Sequence, residues 1–386
     1  MTTPPRILIV IGTRPEAIKM APVYEALRRL EPGIETQIAV SGQHLDLLEP
    51  ALDIFGLDPD YRLNVMRDGQ TVGDVVSRVL RGLRDILREA APDVVLVQGD
   101  TATVFAASLA AFLEQVRVGH VEAGLRSHDR HAPFPEEILR RLTDVVAEYH
   151  FAPTPRARDE LLRENTSPDS VFVTGNTVVD ALLSVARLKR PASDPDLAKV
   201  LSRVRRGEGR LVLLTAHRRE AFGAPLQDIF RAVRDVADAH PDVCVLYPVH
   251  PNPNVVAPAR ELLGDHPRVR LIQPLDYPDL VAALESAALV MTDSGGIQEE
   301  APTFAAPVLV LRDVTERPEG VEAGAAELVG TDRRLIVERA GLALSPEPGL
   351  VSPRNPYGDG RAGERIADIL SADLLGRERR MEDWSA

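Results

Sequence analysis

The stretch RILIVIGTRPEAIK, Arg6 to Lys19, decides the fold. A branched apolar run is cut by Gly12 and followed by a proline-led amphipathic stretch, so a buried strand passes through a tight turn into a helix. The same alternation repeats outward along the chain. Apolar runs at 34–40, 93–97 and 117–121 read as strands, with helices over 15–30, 72–90 and 102–113 between them. A second series of strands starts at 211–214 and continues through 243–247, 269–272, 289–291 and 308–311. Strands alternating with crossover helices predict an α/β fold of two Rossmann-like, doubly wound domains. Between the two series, 187–209 is charged and carries Pro191, Pro195, Gly207 and Gly209, which predicts surface connection rather than core. The domain boundary is placed near Gly175, giving domains of 1–175 and 176–361.

Length and charge narrow the function. At 386 residues the chain exceeds one ordinary domain, and 44% hydrophobic with 27% charged residues is a globular composition. A net charge of -13 works against nucleic acid, whose partners concentrate basic residues on one face. The longest apolar stretch, 106–113, falls far short of the ~20 residues that span a bilayer, so no membrane partner is expected. The run after Arg6 ends at Gly12 without a small-residue cleavage site, which reads as cytoplasmic. One cysteine, Cys244, excludes an intrachain disulfide or cysteine-based zinc site and reads as buried filler. His120 and Glu122 share the H-x-E spacing of zinc deaminases, but that signature needs a later cysteine pair, so no metal is expected.

Doubly wound sheets bind ligands beyond the carboxyl ends of their strands, and the chemistry-bearing residues gather there. After the first strand, the helix start at Gly12–Lys19 offers free N–H groups to an anion, with Arg14 and Lys19 adding charge. The alternative is a capped helix with Glu16 and Lys19 paired on its surface. In the second half, Ser294, Gly295 and Gly296 open a helix where backbone can approach a phosphate, and Glu300 is spaced for ribose hydroxyls. A serine-capped helix with solvated glutamates is the alternative. There is no G-x-G-x-x-G or Walker pattern, which argues against NAD and P-loop chemistry. Asp100 and Glu122 each follow a strand, and Glu136 opens a helix after Pro133-Phe134-Pro135. Singly each acid has a structural explanation; together they can act as acid and base. His217 follows the strand at 211–214 and can transfer protons near neutrality. His250 ends the next strand, as a substrate contact or as a satisfied structural histidine.

The ordered set of strings GTRPEAIKMAP, VQGDT, GHVEAGLRS, FPEE, TGNTVVDAL, TAHRRE, YPVHPNPNV, DSGGIQEEAP and TERPE resembles the non-hydrolysing UDP-N-acetylglucosamine 2-epimerase family across nearly the whole chain. The resemblance implies the GT-B fold, with the active site in the interdomain cleft and a C-terminal helix, 362–386, returning to the first domain. It implies reversible conversion of UDP-N-acetylglucosamine to UDP-N-acetylmannosamine by elimination and re-addition of UDP through 2-acetamidoglucal, without cofactor or metal, in a homodimer. By position, Arg14, Ser294, Gly295 and Gly296 would hold the diphosphate of UDP, Glu300 the ribose, and Arg317 would lie nearby. Lys19, Asp100, Glu122, Glu136 and His217 would form the catalytic neighbourhood.

Some members of the family bind a second UDP-sugar as activator near Gln43. Here Asp46 and Gly69 stand where longer polar side chains are expected, which argues against that activation. The run Ser127–Ala132 also departs from the usual pattern, and His128, Arg130 and His131 keep open a relative acting on another UDP-sugar, such as a diacetamido uronic acid. A glycosyltransferase of the same fold would need an acceptor signal, which the sequence lacks. A nucleotide-sugar sensor would bind without turnover.

Overall fold

The computed structural model describes residues 3–30, 32–42, 45–67, 69–345 and 355–385. Two compact units emerge, one of Met1–Ala181 with Gly358–Ala386 and one of Leu182–Tyr357. The division falls inside the helix Thr177–Arg187, a few residues beyond Gly175.

The first unit is built on seven strands: β1 (Arg6–Ile11), β2 (Glu35–Val40), β3 (Tyr61–Arg62), β4 (Val94–Gln98), β5 (Arg117–Val121), β6 (Tyr149–Ala152) and β7 (Val171–Val173). They pair in parallel in the order β3-β2-β1-β4-β5-β6-β7. Both faces of the sheet are covered, so β4 is buried along its whole length and reads Val-Val-Leu-Val before ending at Gln98. Leu8, Val10, Val95 and Val97 pack there against Leu83, Val104 and Ala107 of the helices Val72–Ala90 and Ala102–Leu113. The first of these helices starts with a capping box between Thr71 and Asp74, the second with Thr101 accepting from the Val104 N–H. The helix Ala362–Leu375 belongs to this unit and packs on Arg14–Arg28. Gly363 permits the approach, because a Cβ there would stand 2.6 Å from the Pro22 carbonyl oxygen.

The second unit holds β8 (Arg210–Thr215), β9 (Val243–Pro248), β10 (Val269–Ile272), β11 (Ala287–Thr292), β12 (Val308–Val310) and β13 (Ala326–Leu328). Their order, β10-β9-β8-β11-β12-β13, is the 3-2-1-4-5-6 arrangement of dinucleotide-binding sheets. Its core sets Phe230 against Tyr247, whose hydroxyl donates to the Ala216 carbonyl at 2.6 Å.

Two expectations change. The stretch at 187–209 contains a packed helix, Pro195–Arg205, burying Leu197, Val200 and Leu201. Pro195 starts that helix instead of breaking it, since its fixed φ suits a first position, and Asp194 caps the N–H groups of Asp196 and Leu197. Cys244 is half-buried on β9 between buried Val243 and Val245, rather than buried filler. Among the described residues, no helix is long and apolar enough to cross a membrane.

Candidate active site

The candidate residues fall into two groups, one in each unit. In the first, the strand order reverses between β1 and β4, where a doubly wound sheet leaves a crevice at its carboxyl edge. The loops after β1, β4 and β5 meet at that edge on adjacent parallel strands. The helix that follows β1 carries Arg14 and Lys19, and the turns after β4 and β5 carry Asp100 and Glu122.

Glu16 is buried, not on the surface. Its carboxylate turns back to accept from the Gly12 N–H at 2.6 Å and from the Thr13 and Thr101 hydroxyls, both at 2.9 Å. Burial pushes its pKa up to about 7, against those hydrogen bonds. Lys19 is therefore not paired with Glu16. Its ammonium instead donates to both oxygens of Glu122, at 2.7 and 2.8 Å, where Gln98 also donates. Glu122 has φ of 68°, a left-handed conformation that side chains seldom adopt, held by its N–H to the Phe151 carbonyl.

Asp100 is ion-paired to Arg140. Arg140 stands one helical turn beyond Glu136 in Glu136–Val146, and helical spacing is the one sequence signal that could have linked it to this edge. Glu136 is half-buried at the start of that helix, whereas Glu137 is fully buried, accepting from the Ser127 N–H at 3.0 Å and lying 3.4 Å from Arg140. Arg14 is half-buried at the first position of its helix. In the run before FPEE, His128, Arg130 and His131 are exposed, with His131 stacked on Phe134.

In the second unit the order reverses between β8 and β11, and the loops after these strands carry His217 and the segment Asp293–Gly296. Asp293 is wholly buried and accepts the backbone N–H groups of His217 at 2.6 Å and Arg218 at 2.7 Å. Its other oxygen faces His217 Nδ1 at 3.4 Å. The His217 ring stacks on His250, which follows β9, with centroids 5.3 Å apart. Burial lowers the pKa of His217, Asp293 opposes the fall, and His250 and Arg218 add to it. The net effect favours the neutral imidazole.

Ser294 occupies the N-cap of Gly295–Glu300 without making a side-chain cap bond. Gly295 lies where a Cβ would come within 3.2 Å of Glu316. Glu300 is half-buried, and Arg317 is ion-paired to the buried Glu299. Gln43 and the side chain of Asp46 lie outside the described residues, so the expectation about an activator site is not addressed there. Among the described residues no group of three His, Cys, Asp or Glu side chains is placed to hold a metal ion.

A family profile described as UDP-N-acetylglucosamine 2-epimerase matches residues 26–371. The chain is 47% identical over 368 residues to the UDP-N-acetylglucosamine 2-epimerase of Bacillus subtilis (strain 168), covering 95% of this chain and 94% of that one. It is 47% identical over 386 residues to the enzyme of the same name from Escherichia coli (strain K12), covering 96% and 99%. The crystal structure of UDP-GlcNAc 2-epimerase from Neisseria meningitidis bound to UDP-GlcNAc superposes with a TM-score of 0.84 at 40% identity, covering 96% of this chain and 100% of that one.

Proposed function

Because the chain belongs to the UDP-N-acetylglucosamine 2-epimerase family, an isomerase family, we propose that it inverts carbon 2 of UDP-N-acetylglucosamine to give UDP-N-acetylmannosamine, by elimination and re-addition of UDP. In the forward step a base takes the proton from carbon 2 while the bond from carbon 1 to the phosphate oxygen breaks, leaving 2-acetamidoglucal and UDP. In the return step carbon 2 receives a proton on its other face, and the phosphate oxygen attacks carbon 1.

The burden of such an elimination lies on the leaving group, since negative charge develops on the departing diphosphate. Arg14, Ser294, Gly295 and Gly296 hold that diphosphate, Glu300 holds the ribose, and His250 and Arg317 complete the nucleotide side. Lys19, Asp100, Glu122, Glu136 and His217 surround the sugar and move protons. The observation that carries the reading is the Lys19–Glu122 pair beside Asp100 at the switch point of the first sheet, two carboxylates in different settings as acid–base chemistry needs. The bound UDP-GlcNAc of the Neisseria meningitidis relative supports the substrate class. The same reading makes the protein a cytoplasmic homodimer.

Incubation with UDP-N-acetylglucosamine alone, followed by proton NMR, tests it. The expected result is an equilibrium mixture with UDP-N-acetylmannosamine. An untouched substrate, bound but never turned over, would leave a sensor in its place.

A further inference from the structure

The turn carrying Asp100 is gripped on both sides by buried side chains that the chemistry above leaves unused. On the amino side, His120 Nε2 lies 2.8 Å from the Gly99 carbonyl. A carbonyl only accepts, so Nε2 carries hydrogen. His120 Nδ1 faces Asp144 Oδ1 at 2.6 Å. Burial raises the pKa of Asp144, but His120 and Arg126 outweigh it and hold that carboxyl at about 2. The short Nδ1–Oδ1 contact holds the ring from its other nitrogen and keeps Nε2 aimed at the Gly99 carbonyl. Asp144 is itself fixed, its second oxygen 2.7 Å from Arg126 and its carbonyl 2.9 Å from His150 Nε2. On the carboxyl side, the Thr101 hydroxyl donates to Glu16.

Gly99 has φ of 83°, so the turn runs through the left-handed region and its own conformational preference does not fix Asp100. We propose that His120 is a positioning residue which, through the Gly99 carbonyl, sets where the Asp100 carboxylate stands, while Glu16 steadies the other side of the same turn. The proposal rests on the assignment of Asp100 to the chemistry. It also accounts for the His120-x-Glu122 spacing without a metal. Glu122 follows β5 at the crevice, and His120, two residues back on that strand, anchors the neighbouring loop.

Two substitutions separate this role from general support of the buried network. In His120→Gln the amide nitrogen reaches the Nε2 position and keeps the donor to Gly99. In His120→Asn it reaches only the Nδ1 position and keeps the donor to Asp144. Expected is a loss in kcat on the order of 10²-fold for His120→Asn with KM nearly unchanged, and recovery of most of it in His120→Gln. His120→Asn in the background of Asp100→Asn is expected to lower kcat little further, because both lesions act through one group. That comparison holds even where His120→Gln melts too early to assay. Full kcat in His120→Asn, more activity in the Asn than in the Gln variant, or independent losses in the double variant would overturn the proposal. Wild-type protein that does not epimerise, or Asp100→Asn at full rate, would strike the functional reading beneath it instead.

Discussion

The Lys19 ammonium lies 2.7 and 2.8 Å from the two carboxylate oxygens of Glu122, a residue 103 positions away, and both side chains are largely buried. The pair ties the first helix to the end of β5, so it bears on stability as well as turnover. Removing one charge leaves the other buried and uncompensated, which costs on the order of 3 kcal/mol. Lys19→Met is therefore expected to lower the melting temperature markedly, and Lys19→Met with Glu122→Gln to regain part of it. Neither variant should turn over substrate. Thermal melts of the two singles and the double check this, and strictly additive losses would show that the pair is not coupled.

Glu136 and Glu137 are adjacent, yet their substitutions should separate. Glu137 is buried against the Ser127 N–H and Arg140, so Glu137→Gln disturbs packing and is expected to cost about 1–3 kcal/mol. Glu136 is half-buried at the helix start, and Glu136→Gln is expected to melt within about 0.5 kcal/mol of wild type while losing on the order of 10²-fold in turnover. Paired melts and rates decide it. The reverse pattern would transfer the catalytic assignment to Glu137.

The contrast between these neighbours shows what a sequence can and cannot reveal. Strands β1 and β5 and the helix Ala102–Leu113 are legible to the residue, because an apolar run ends where a glycine, a Thr cap or an acid begins. Strand β6 is not, since its Tyr149 and His150 look polar until tertiary partners satisfy them, Asp373 for the one and the Asp144 carbonyl for the other. Strands β7 and β13, three residues each, are too short to show a period. The same limit governs the site. Strand ends locate Asp100, Glu122 and His217, because ligand crevices follow the sheet's carboxyl edge. Their partners come from distant segments: Arg140 for Asp100, and Lys19 and Gln98 for Glu122. Local spacing even misleads, pointing Lys19 to Glu16 three residues before it, whereas Glu16 turns inward to the Gly12 N–H.

Asp180 should make stability depend on pH. Burial pushes its pKa from an ordinary 3.8 to about 7, although the N–H groups of Gly363 and Ala362 pull the other way. With the folded value above the unfolded one, the native chain holds the extra proton between the two, and stability falls as pH rises through that window. Below about 4 both states are protonated and the contribution is complete; above about 7 it is gone. Asp180→Asn removes the titration. Its melting temperature is expected to fall less than that of wild type between about pH 4 and 7, with Glu16 contributing the remaining slope. Identical slopes would mean that Asp180 titrates in the folded protein as it does in the unfolded chain.

Solvent isotope separates elimination from any route that keeps the original hydrogen. If a side chain removes the proton from carbon 2 as UDP departs, the proton returned on the opposite face comes from a group that exchanges with water. Product formed in deuterium oxide should then carry deuterium at carbon 2, visible as loss of that proton's NMR signal and collapse of its couplings. A hydride passed to a bound nicotinamide and back would return the original hydrogen, and the chain carries no dinucleotide fingerprint for such a cofactor. An intermediate held by non-covalent contacts also escapes slowly, so prolonged incubation should release traces of UDP and 2-acetamidoglucal. The two signals fail separately. Epimerised product without deuterium at carbon 2 would remove the elimination mechanism while leaving the epimerase intact, whereas free N-acetylmannosamine as the main product would make the chain hydrolytic and leave the carboxylates at the edge of the first sheet to activate water.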